Sequence, residues 1–211
     1  MMILRKTILA ITYVLILTSI LLCTNQNSGV ETTNGAVVYV HAEGVDGVVP
    51  PHAIVSLFDR KYIPFIDSGL GIVTVADING KFSFKGMNID TVSLTMFSSD
   101  LTNAAYLDAG AAGGRFDTQL DGKGILNGTV TASENDMVLV YIPGTSFYSI
   151  QKGSGPFVIN SLPEGTYKVT AAIVQKTADT GRYVIHKESA SQSVTVVSGK
   201  TVSLFFTVAG D

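Results

Sequence analysis

Over most of the chain, apolar and polar residues alternate with a period of two. Residues 166–175 place Tyr167, Val169, Ala171 and Ile173 on one side, and residues 201–208 do the same with Val202, Leu204, Phe206 and Val208. This alternation is the mark of a strand with one face on a core. Runs of this kind, bounded by Gly, Pro, Asn and Asp, predict strands near residues 36–42, 53–58, 72–76, 81–84, 92–98, 104–107 and 115–120. They continue near 125–132, 137–142, 147–151, 156–159, 166–175, 182–189, 193–197 and 201–208. Helical spacing of apolar positions is nearly absent beyond the first residues. Burying each large aliphatic side chain is worth roughly 1.5–3 kcal/mol, and a one-residue slip would turn a whole face to water, so the register is firmly specified. Many short strands with frequent turn signals predict an all-β sandwich architecture.

The opening segment breaks the pattern. Arg5 and Lys6 precede an apolar stretch over residues 8–22, interrupted by Thr12, Thr18 and Ser19 and followed by the chain's one cysteine, Cys23, and a polar tract. The stretch has the length of a secretory apolar region and is short for a bilayer span of roughly 20 residues. The arrangement resembles a bacterial lipoprotein signal, in which the cysteine becomes the lipidated first residue. Leu22 stands where that motif has Gly, Ala or Ser. An uncleaved membrane anchor and ordinary cleavage beyond Cys23 are the other readings, and all of them export the chain.

The chain has 211 residues, 15% of them charged, with a formal net charge of −3. Removing residues 1–22 leaves 12 basic and 17 acidic residues, a balance of −5. A basic nucleic-acid footprint is absent, and an acidic surface favours a tether over adsorption to anionic lipid. One cysteine excludes an intramolecular disulfide framework and a Cys-rich zinc site. Acidic residues concentrate in the first half: residues 31–120 hold 5 basic and 10 acidic residues, residues 121–211 hold 7 of each.

The two halves share a pattern. Asp77-Ile78-Asn79-Gly80-Lys81-Phe82-Ser83-Phe84 in the first answers Phe157-Val158-Ile159 followed by Leu162-Pro163-Glu164-Gly165-Thr166-Tyr167-Lys168-Val169 in the second. These runs resemble carboxypeptidase-regulatory-like domains, which are transthyretin-like sandwiches. With Gly124-Ile125-Leu126-Asn127-Gly128-Thr129-Val130 and Val140-Tyr141-Ile142-Pro143-Gly144-Thr145, the whole resembles bacterial surface lipoproteins built of two such modules. The resemblance implies a signal peptide over 1–22, a flexible tether over 23–34, and two tandem Ig-like or transthyretin-like β-sandwiches over 35–120 and 121–211. The border falls within residues 108–124, where Gly110, Gly113 and Gly114 suit a bend and residues 121–124 read as a linker turn. Lipidation at Cys23 would hold the protein at the cell envelope, on an outer membrane or cell surface.

Chemistry is sparse. His41, His52 and His186 lie in separate elements, no Gly-x-Ser-x-Gly elbow occurs, and the zinc-peptidase pattern is missing, so no catalytic residue, metal or cofactor is expected. Asp77-Ile78-Asn79-Gly80 opens like a calcium loop but lacks its later ligands, and Asn-Gly is a strong turn signal. Gly110-Ala111-Ala112-Gly113-Gly114 stands in a β context and reads as a bend rather than a phosphate cradle. The candidate carbohydrate-binding residues are Tyr62 and Phe65 in the first half's long loop and Tyr148 in the second. Alternation forbids Phe147 and Tyr148 both facing the core. The expectation is an exported, lipid-anchored, non-enzymatic spacer, adhesion or assembly protein, with polysaccharide or another envelope protein as its partner and no nucleic acid. The alternative is a carbohydrate-binding protein.

Overall fold

The computed structural model describes residues 34–67, 71–86, 91–109 and 114–208. The leader, Cys23 and the tether up to residue 33 lie outside the described residues, as do Gly110 and Gly113. Among the described residues the chain is all-β, with no helix.

The first half contributes β1 (Gly35–His41), β2 (Gly44–Val48), β3 (Ile54–Asp59), β4 (Ile72–Val75), β5 (Lys81–Lys85), β6 (Val92–Phe97), β7 (Asn103–Ala109), β8 (Gly114–Gln119) and β9 (Asp121–Gly122). They form two sheets, in the orders β5-β2-β1-β8 and β4-β3-β6-β7-β9. Val38, Val40, Val45, Phe82 and Phe84 of the first sheet meet Val55, Leu57, Leu94 and Met96 of the second in one buried cluster. The layers are therefore a sandwich, held mainly by apolar burial.

Two expectations need correction here. Residues 44–48 were not among the predicted strands, because Gly44, Asp46 and Gly47 carry turn chemistry. They form β2, paired with β1 and β5. Gly47 is there for space: a Cβ would stand 2.2 Å from the Val37 carbonyl oxygen and 2.9 Å from the Phe82 ring. Residues 121–122 are no linker turn either. Asp121 and Gly122 pair with Ala104 and Asn103, closing the edge of the first half's second sheet.

The second half follows after Lys123 with β10 (Gly124–Thr131), β11 (Met137–Tyr141), β12 (Tyr148–Lys152), β13 (Gly155–Leu162), β14 (Gly165–Lys176), β15 (Tyr183–Glu188), β16 (Gln192–Val196) and β17 (Thr201–Thr207). One sheet has the order β13-β10-β17; the other has β12-β11-β14-β15, with β16 also paired to β14. β10 and β17 run parallel, Leu126 beside Val202 and Val130 beside Phe206, while the other pairs are antiparallel. The predicted faces are the observed ones: Tyr167, Val169, Ala171 and Ile173 are buried together with Leu126, Phe157, Ile159 and Phe206.

A third apolar cluster joins the halves. β14 is buried without interruption from Val169 to Val174, so its second face is covered too. Leu139 and Tyr141 of β11 and Ala172 and Val174 of β14 form that face, and Ile63, Phe65 and Ile66 from the loop after β3 pack on it.

Candidate functional site

The loop after β3 is self-supporting. Its backbone turns through Tyr62 N–H to the Asp59 carbonyl at 2.9 Å and Asp67 N–H to the Ile63 carbonyl at 3.0 Å. The Asp67 carboxylate accepts Ile63 N–H at 2.6 Å, and Asp59 accepts Lys61 N–H at 2.7 Å. Phe65 sits at φ 73°, a left-handed conformation that is unfavourable for a bulky side chain and must be held by its surroundings. Its ring lies 4.8 Å from Tyr183 and 5.9 Å from Tyr148, centroid to centroid.

The same loop is bonded to the second half through its backbone. Gly144 N–H donates to the Tyr62 carbonyl at 2.7 Å. Ser93 of β6, buried, donates its hydroxyl to the Gly144 carbonyl. Gly144 itself has φ 71°, and a Cβ there would stand 2.7 Å from Ser93 Oγ and 3.1 Å from Arg60 Cα. Glycine is therefore required twice over, by conformation and by space.

Beside this seam lies a cleft of about 240 Å³, lined by Arg60, Tyr106 and Asp108 from the first half and by Pro143, Tyr167 and Lys168 from the second, among others. Arg60 and Asp108 are paired at 2.6 Å, half-exposed. Tyr106 and Tyr167 pack with their rings tilted by 38° and centroids 4.9 Å apart, and Tyr167 OH donates to the Pro163 carbonyl at 2.7 Å. Burial pushes the Tyr106 phenol up to about 12, with Asp108 adding to the rise and Arg60 opposing it. Burial also raises Tyr167, then Tyr106 beside it. Tyr141, under the loop, is raised by burial and by donating to Glu188 at 2.7 Å. Tyr62 is raised by burial, then by the charges near it. Of the four, Tyr141 and Tyr167 donate hydrogen bonds from their hydroxyls, and the burial that raises all four marks them as packed side chains.

The structure thus brings the three candidate aromatic residues to one place. Phe65 bridges Tyr148 and Tyr183, Tyr62 packs on Phe58 at 5.2 Å, and Tyr148 is the most open of the three at 43% exposure. Phe147 turns inward onto the second half's core, as alternation requires. Tyr183 was not anticipated; it stands at the start of a strand whose residues alternate between half-buried and exposed, so nothing in its local pattern marks it.

The other sequence candidates are spread out. His41 pairs with Asp46 at 3.1 Å on the surface of β1 and β2, His52 lies in a turn and His186 in β15. The Asp77 Oδ1 accepts the N–H groups of both Asn79 and Lys81, each at 2.8 Å, so the carboxylate closes a turn. Among the described residues no group of acidic, His or Cys side chains is placed to hold a metal ion.

No family model matches the chain, and no curated protein does. Among solved structures it is similar to GBS52, the minor pilin of the Gram-positive pathogen Streptococcus agalactiae, at 12% identity over 78% of this chain and 85% of that one, with a TM-score of 0.34. It is also similar to the Bacillus anthracis TIE protein, at 13% identity over 88% of this chain and 42% of that one, with a TM-score of 0.29.

Proposed function

We propose that this is an exported, non-enzymatic cell-envelope protein in which two β-sandwich modules, residues 35–122 and 124–208, act as a stiff spacer in adhesion or assembly. Cys23 carries the lipid that anchors it and residues 24–34 are the tether. The observation that carries the spacer reading is the seam. Ile63, Phe65 and Ile66 pack on the outer face of the second half, and Gly144 is bonded to both Tyr62 and Ser93. A flexible linker would leave relative motion as the default; an apolar contact with buried backbone bonds removes it. The leader, its lone cysteine and the acidic balance of the remainder support the anchored placement.

The experiment is metabolic labelling with a fatty-acid probe, combined with protease accessibility on intact cells. The parent protein is labelled and accessible, and Cys23→Ala loses the label. A parent that takes up no label, or a Cys23→Ala variant that keeps it, refutes the anchor.

A second reading has a specific observation in its favour. Tyr62, Phe65 and Tyr148 converge, with Tyr148 open to solvent, and such a group could receive a sugar ring at the edge of the seam. Under that reading Tyr148→Ala abolishes retention on polysaccharide. Retention unchanged by Tyr148→Ala rules it out.

A further inference from the structure

The three strands of the β13-β10-β17 sheet contain no Asp, Glu, Lys, Arg or His, in a chain with 14 basic and 17 acidic residues. Their outward positions make an uncharged tile. Thr129 lies between Pro156 and Phe205 in one row, and Asn127 lies between Val158 and Ser203 in the next. Neighbouring strands are roughly 4.8 Å apart, so both rows fall within the span of a few sugar rings. Phe205 is 73% exposed, well above Tyr148 or Tyr39. Its alternate neighbours on β17 are Ser203 and Thr207, so a threonine would serve the strand equally well at this position. A phenyl ring left in water forgoes its burial energy unless something covers it.

Two hydrogen bonds narrow what that something is. Ser203 Oγ donates to Asn127 Oδ1 at 2.5 Å, which occupies the amide's oxygen and leaves its two N–H donors directed by that bond. Gln192 Nε2 donates to the Phe205 carbonyl at 2.6 Å, so this carbonyl of the β17 edge is already taken. Addition of a further strand, including one from a second copy, would have to displace that bond. The absence of charge argues against an anionic lipid or acidic polymer, which would be met by Lys or Arg. Protein-binding surfaces share the tile's lack of Lys, Glu and Asp and its open aromatic ring, but they are enriched in Arg and Met and depleted in Ser, whereas these strands have neither Arg nor Met and carry Ser161 and Ser203.

We propose that the outer face of the β13-β10-β17 sheet binds an uncharged polysaccharide. A pyranose ring lies on the face of Phe205, its C–H groups against the π-system, and its hydroxyls are met by Asn127 and Thr129. The site is separate from the seam and from Tyr148, and it gives the spacer a surface to hold.

The test is co-sedimentation of the full-length protein, in detergent micelles, with insoluble cellulose, starch, chitin and mannan. The parent is depleted by at least one of these. Phe205→Ala weakens that binding by about tenfold or more, as expected for loss of one covered aromatic ring. Phe205→Trp retains it, and all variants keep the parent's thermal transition. The inference is overturned if none of the polymers depletes the parent or if Phe205→Ala binds like the parent. It is equally overturned if Tyr148→Ala, and not Phe205→Ala, abolishes binding, or if Phe205→Ala instead converts a sedimenting dimer to a monomer.

Discussion

Replacing Phe65 tests the seam at its least favourable backbone position. A fully buried Phe→Ala change costs about 3–5 kcal/mol. Phe65 is half-buried, against Tyr148 and Tyr183, so loss of the ring is worth about 2 kcal/mol. Alanine keeps the left-handed strain at φ 73°. Glycine loses the same ring but carries no Cβ into that conformation. Allowing for its greater freedom in the unfolded chain, it should be about 0.5–1 kcal/mol more stable than alanine there. With a urea slope of about 2 kcal/mol per molar, the midpoint falls by about 1 M for Phe65→Ala and by about 0.6 M for Phe65→Gly. Amides of β14 should exchange faster in both, since the loop covers that strand. Unchanged midpoints in both variants would show that the loop does not pack on the second half in solution. Alanine more stable than glycine would show that residue 65 is not left-handed.

Three further outcomes follow from single positions. Gly144→Ala places a Cβ 2.7 Å from Ser93 Oγ at φ 71° and should destabilise by about 1–3 kcal/mol, read in the same denaturation assay. Thr95 is buried in β6 and its hydroxyl finds no partner among the described residues, so Thr95→Val, of nearly the same shape, should raise the thermal midpoint by removing an unsatisfied group worth about 1–2 kcal/mol. Asp100 accepts hydrogen bonds from the Ser98 hydroxyl, Thr102 N–H and the Thr102 hydroxyl, in that order of effect, and its carboxyl is held down to about 2. Because its folded value lies below the ordinary value of 3.8, the stability it gives the β6–β7 turn is present above that value and lost as pH falls towards 2; carboxyl-carbon NMR titration should find it ionised at pH 3, and Ser98→Ala should shift its midpoint up.

The strand positions and their core faces were largely legible because alternation is a direct record of one-sided burial. Tyr167, Val169, Ala171 and Ile173 had nowhere else to go once strand period was recognised. Where glycine served packing instead of turning, as at Gly47, the local signal pointed the wrong way. The seam was the larger miss. Its signature was present: Val138-Leu139-Val140-Tyr141 and Ala171-Ala172-Ile173-Val174 are apolar without alternation, which is how a strand covered on both faces reads. What covers the second face is a contact between residues far apart in the chain, and no periodicity encodes it. Tyr62, Phe65 and Tyr148 could be singled out as aromatic residues outside the core pattern, but their convergence depended on how the two halves dock. Phe205 was visible as the outward residue of an alternating strand; its significance came only from the uncharged neighbours that β10 and β13 place beside it.

The central claim is that the two halves move as one body. Residual dipolar couplings of backbone amides in weakly aligned medium measure this directly. A single alignment tensor should fit residues 35–109 and 124–207 together, and Phe65→Ala combined with Gly144→Ala should split it in two. Separate tensors of different magnitude for the two halves of the parent protein would contradict the account.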